Sequence, residues 1–99
     1  MIDLKAEHAE IVRTILNKYL PESTKVYVYG SRAKGNARPY SDLDLAIDKG
    51  GQRLLLKEEA SLIDDFVESD LPFKVDLTDW NKLSADFKKI IAKDKLDFI

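Results

Sequence analysis

Ninety-nine residues, 44% hydrophobic and 34% charged, make one globular domain with a single modest core. The absence of cysteine removes disulfides, thiolate metal sites and a cysteine nucleophile, and suits a reducing, cytoplasmic setting. A net charge of −2 argues against broad nucleic-acid binding, and no apolar run approaches the roughly 20 residues of a membrane helix.

Leu4, His8, Ile11, Val12, Ile15, Leu16, Tyr19 and Leu20 recur at helical spacing, which predicts an amphipathic helix over 4–20. Asp3 is its expected N-cap and Pro21 its stop. His8 falls on the inward stripe, a position for packing rather than catalysis. Residues 25–29, Lys-Val-Tyr-Val-Tyr, form a β-branched and aromatic strand that ends at Gly30. The polar segment 31–41, with Gly35, Asn36 and Pro39, predicts a short helical turn and a loop. Leu43, Leu45 and Ile47 then alternate with Asp42, Asp44 and Asp48, a second strand closed by Gly50-Gly51.

A second helix is expected over 53–68 from Leu56, Ala60, Ile63 and Val67. The acidic run in 57–70 is either its solvated face or an interaction surface. After Pro72, residues 73–78 alternate as a third strand carrying Asp76. Leu83, Phe87, Ile90 and Ile91 mark a last helix with Ser84 as candidate cap, and 96–99 a short edge strand. Period-two alternation in the second and third strands predicts an α/β (α+β) fold of two layers. Helices cover one face of a short mixed sheet and the other face is open. Asp42, Asp44 and Asp76 point to that open face.

Residues i and i+2 of a strand lie on one face about 6.5–7 Å apart, so Asp42 and Asp44 can reach a common pair of divalent ions. Magnesium takes one or two protein carboxylates and completes its shell with water and substrate phosphates. Like charges so placed need a compensating cation. Gly30-Ser31 ends a strand and starts a turn, where backbone amides can hold phosphate oxygens and glycine permits close approach. Each signal alone is weak, since exposed strand aspartates are ordinary solubilising residues and glycine-serine is a common turn. Gly30 and Gly35 have P-loop spacing, but Asn36-Ala37 stands where Lys and Ser/Thr belong. An EF-hand fails because Ala46 occupies the third ligand position.

Together, Gly30-Ser31-Arg32-Ala33-Lys34-Gly35, Ser41-Asp42-Leu43-Asp44-Leu45 and Val75-Asp76-Leu77-Thr78-Asp79-Trp80 closely resemble the nucleotidyltransferase superfamily of DNA polymerase beta and kanamycin nucleotidyltransferase. Within it the chain looks like the minimal nucleotidyltransferases, or MNT proteins, of antitoxin type. The resemblance implies that Gly30 and Ser31 hold the β- and γ-phosphates of a nucleoside triphosphate. It implies that Asp42 and Asp44 ligate two Mg²⁺ ions, that Asp76 is the third acidic residue, and that Arg32 helps with phosphate charge or pairs with an aspartate. The implied reaction transfers a nucleoside monophosphate, AMP from ATP, to a hydroxyl acceptor. The implied partner is a HEPN-domain toxin, which such a protein either modifies or neutralises by binding alone. Larger members carry a further domain that helps bind the base or acceptor, and the sequence offers no obvious equivalent. Trp80 is expected to pack at an edge or to anchor the partner or base.

Overall fold

Val26, Val28, Leu43, Leu45 and Ile47, the alternate positions of the first two expected strands, are all essentially inaccessible to solvent. Their burial makes these strands the centre of a sheet. In the computed structural model, which describes residues 2–99, β1 (Lys25–Tyr29) pairs antiparallel with β2 (Leu43–Asp48), from Lys25 opposite Asp48 to Tyr29 opposite Asp44. β3 (Val75–Asp79) joins the far side of β2 in parallel, from Leu43 beside Val75 to Ile47 beside Asp79. A parallel return needs a crossover, and α3 (Leu56–Glu68) provides it. β4 (Leu96–Asp97) closes the order β3-β2-β1-β4 as a two-residue antiparallel edge on β1.

One face of this sheet is covered by α1 (Ala6–Tyr19) and α3. Val12, Ile15 and Leu16 of α1 and Leu62 and Phe66 of α3 join the strand residues in one core cluster. Burying a side chain of this size contributes about 1.5–3 kcal/mol, so these positions dominate the stability of the fold. Lys18 and Asp65 clasp the two helices at 3.0 Å. His8 packs edge-on against Phe73, with ring centroids 5.5 Å apart.

Several boundaries differ from those predicted, β4 ending at Asp97 rather than 99, and three of them have a local reason. α1 begins at Ala6, and its N-cap position is Lys5, which makes no side-chain cap bond. Asp3 is used elsewhere: its N–H donates to the Arg32 carbonyl and its own carbonyl accepts from Arg32 Nη1, both at 2.8 Å. α3 starts at Leu56 rather than 53, where Glu58 Oε1 reaches back to accept the Leu55 N–H at 2.8 Å. β3 begins at Val75, leaving Phe73 buried just ahead of it, and runs on to Asp79.

α4 (Ala85–Ala92) starts as predicted, with Ser84 Oγ accepting the Phe87 N–H at 3.2 Å. It does not join the α1–α3 layer. Its neighbours are Tyr27 and Tyr29, which alternate with the buried Val26 and Val28 and so face the sheet's second side. Lys95, just beyond α4, lies over the Tyr27 ring at 3.8 Å, and Trp80 packs beside Tyr27 at 5.7 Å. Lys88 of α4 in turn lies over Trp80. The open face is therefore walled on its β1 side. No helix among the described residues is long and apolar enough to cross a membrane.

Candidate active site

β1 delivers the chain to Gly30, whose φ of +75° and ψ of −154° lie in a region that only glycine adopts without strain. α2 (Ser31–Lys34) follows as a single helical turn, ended by Gly35 in the left-handed conformation. Within this turn the Ala33 and Lys34 amides donate to the Gly30 carbonyl, which leaves the Ser31 and Arg32 amides without a partner inside it. A methyl group at Gly30 would collide with Asp44 Oδ2. The missing side chain thus brings the backbone turn directly against the carboxylate.

Asp44 is flanked in register by Tyr29 on β1 and by Asp76 on β3, so all three occupy one row across the second face. Asp42 lies two residues earlier on the same side, at the mouth of β2. Asp42 and Asp76 are exposed, whereas Asp44 is half-buried. Burial, reinforced by the charges of Asp76 and Asp42, raises the Asp44 pKa above its ordinary 3.8. Among the described residues no Lys, Arg or His lies within ion-pair distance of these three carboxylates. The compensating cation that their spacing demands is not supplied by a side chain. Nor do three of the described acidic or histidine side chains close into a ready metal cage. Two hard oxygen donors completed by water and substrate phosphate, the usual magnesium arrangement, fit this donor set.

Tyr29 was not singled out by its sequence context. Its hydroxyl hydrogen-bonds Thr78 Oγ1 at 2.9 Å, a diagonal link across β2 from the Asp44 row to the next row on β3, where Thr78 lies beside Ala46. Burial, opposed by that bond and aided by Asp44 and Asp76, raises the Tyr29 pKa. The period-two pattern that placed Asp44 on the open face places Tyr29 there as well, and that was its available signal.

Arg32 is the expected site residue that the structure sets apart. It is 5% exposed, and its guanidinium donates to the carbonyls of Asp3, Pro39 and Ser41 at 2.8–3.3 Å while lying 4.2 Å above the Phe73 ring. It pairs with no aspartate. Its visible work is to hold the 35–41 loop, and through it the approach to Asp42. Ser41 Oγ accepts the Arg38 N–H at 2.8 Å, tightening the same loop.

The two aspartates of β3 diverge. Asp76 is exposed on the site row, while Asp79 is buried and accepts the N–H groups of Leu54 at 2.7 Å and Asn81 at 3.1 Å. Asp79 is a structural clamp between β3 and the entry to α3.

A half-open mixed sheet bearing a strand–Gly-Ser–helix turn against paired carboxylates is the nucleotidyltransferase fold. The chain belongs to the polymerase beta nucleotidyltransferase family, whose pattern matches residues 10–96. It is 48% identical over 92 residues to a Haemophilus influenzae protein named "Probable protein adenylyltransferase MntA", spanning 93% of this chain and 79% of that one. It also matches a toxin–antitoxin crystal structure with AMP-PNP, with a TM-score of 0.75 and 21% identity, covering 92% of this chain and 72% of the other. A mutant MntA–HpeT toxin–antitoxin structure gives a TM-score of 0.72 at 19% identity, over 92% and 71% of the two chains. At these identities the two structural likenesses establish the fold.

Proposed function

We propose that this nucleotidyltransferase moves AMP from ATP onto a hydroxyl group of a HEPN-type toxin, and so acts as its antitoxin in the cytoplasm. The observation that carries the reading is the pair of carboxylates Asp44 and Asp76 in one row, with Gly30 set against Asp44, Asp42 beside it and, among the described residues, no cation paired with them. The 48% identity to a protein named a probable protein adenylyltransferase supports AMP as the transferred group and a protein as its acceptor.

Gly30 and Ser31 hold the β- and γ-phosphates through backbone amides, which orients the triphosphate with its α-phosphorus over the carboxylate row. Asp42 and Asp44 would hold Mg²⁺, two ions with Asp76 contributing to the second, and these would supply charge neutralisation at the phosphate oxygens. The acceptor oxygen attacks the α-phosphorus in line, the α–β bridging bond breaks and pyrophosphate leaves. Asp76, exposed at the rim, takes the acceptor's proton. Arg32 acts as a positioning residue by holding the loop that leads to Asp42.

Intact mass of the partner after incubation with ATP and Mg²⁺ tests this directly. Each transfer adds one AMP, and the addition disappears with Asp44→Ala or with chelation. A partner left unmodified by wild-type protein would refute the proposal.

A second reading has its own observation. Leu56, Ile63 and Val67 stand 82%, 44% and 75% exposed along one stripe of the acidic helix α3. Such a stripe suits neutralisation of the toxin by binding alone. That reading expects Asp42→Ala and Asp44→Ala to neutralise as well as wild type.

A further inference from the structure

A triphosphate seated at Gly30 carries its nucleoside a few bonds beyond the carboxylate row, where the sequence alone offers no wall. α4 provides one. Tyr29 and Gly30 form one side of a cleft of about 130 Å³, and Phe87, Ile90 and Ile91 form the other. Residues three and four apart share a helix face, so these three make one apolar ridge. Ile91 is 3% exposed and anchors α4 to the sheet, whereas Phe87 and Ile90 remain 46% and 62% exposed. The charged members of the cleft, Lys34 and Asp94, are directed at each other at 3.7 Å. What the cleft presents to a ligand is therefore mostly aromatic and aliphatic surface.

We infer that this face of α4 is the nucleobase wall of the site, with Phe87 stacking on the base and Ile90 flanking it. The inference rests on the phosphate-binding reading of Gly30 and Ser31. Continuity decides the occupant: the cleft opens from Gly30 itself, so the group that reaches it most directly is the one tethered to the phosphates. A stacking wall reads the face of a ring rather than its edge, and every base has such a face. The site thus holds purine and pyrimidine nucleoside triphosphates alike, and selectivity for the acceptor lies elsewhere.

The test is equilibrium binding of ATP, GTP, CTP and inorganic tripolyphosphate, with Ca²⁺ replacing Mg²⁺ to suppress turnover. Wild type, Phe87→Ala and Phe87→Trp are compared, each shown by melting to be folded. The three nucleotides are expected to bind wild type within a few-fold of one another and roughly tenfold tighter than tripolyphosphate. Phe87→Ala loses about that tenfold for every nucleotide and binds tripolyphosphate unchanged, and Phe87→Trp restores nucleotide binding. Unchanged nucleotide affinity in Phe87→Ala would overturn the wall and leave the ridge to a protein partner. A strong preference for one base would overturn readout by stacking. Failure of wild type to bind even tripolyphosphate would remove the phosphate site first, and the wall with it.

Discussion

Asp44 and Asp76 are register partners on adjacent parallel strands, so two carboxylates face the same side of the sheet one strand apart. Nothing in the fold rewards this arrangement. With Asp42 on the same side and Asp44 half-buried, ionisation opposes folding, and the raised Asp44 pKa expresses that opposition. Asp44→Asn should therefore melt a few degrees higher than wild type at pH 7. The sign follows from linkage: a carboxyl whose folded pKa lies above its unfolded value stabilises the fold when protonated and loses that advantage as pH rises. The gain from Asp44→Asn should shrink as pH falls toward 3.8, and Mg²⁺ with ATP should raise the melting temperature of wild type only. Transfer activity should fall by on the order of 100-fold or more. A variant that melts lower at pH 7 would contradict the electrostatic reading.

Gly30 should tolerate no side chain. Its φ and ψ cost about 1–3 kcal/mol for any other residue, and the added methyl meets the Asp44 carboxylate. Gly30→Ala is expected to lower stability by at least that amount. Combined with Asp44→Ala, which removes the colliding oxygen, it should cost less than the sum of the single changes. Strict additivity in thermal or denaturant melts would argue that the two groups do not touch.

Arg32 separates a positioning role from direct phosphate contact. Loss of its buried bonds to Asp3, Pro39 and Ser41 should cost about 2–4 kcal/mol in Arg32→Ala. Lysine should not rescue it, because an ammonium cannot reproduce the planar fork or the stacking on Phe73. Limited proteolysis should cut the variant within residues 35–41 faster than wild type. Unaltered stability with weakened tripolyphosphate binding would place the guanidinium on the substrate instead.

Asp76→Ala and Asp79→Ala should fail in opposite ways. Asp79→Ala leaves the Leu54 and Asn81 amides unpaired, at about 1–3 kcal/mol each if they stay buried, yet the molecules that fold should remain active. Asp76→Ala should fold well and lose transfer. Specific activity per folded molecule, with melting curves alongside, distinguishes the two.

The strands and the carboxylate row were legible because period-two alternation survives burial on one face. Val26 to Ile47 repeat it, and Asp42, Asp44 and Asp76 occupy its polar phase. Gly30 was legible because a strand must end before a turn can begin. The role of Arg32 was not, since its partners are backbone carbonyls that leave no trace in residue identity. Asp79, three residues from Asp76, falls on the inward phase of β3 beside Ile47, but residue identity does not show that the Leu54 and Asn81 amides are what receive it there. The last helix showed an apolar stripe, but the stripe does not say which face of the sheet receives it. That choice depends on Tyr27 and Trp80, 53 positions apart in the chain, packing against each other on the second side.

The most direct measurement compares ATP labelled at the α-phosphate with ATP labelled at the γ-phosphate, incubated with the protein, Mg²⁺ and its toxin partner. Label from the α-position should become covalently attached to the partner, label from the γ-position should leave as pyrophosphate, and Asp42→Ala and Asp44→Ala should attach neither. Attachment of the γ-label, attachment by Asp44→Ala equal to wild type, or no attachment by wild type would contradict a nucleotidyl transfer centred on this row.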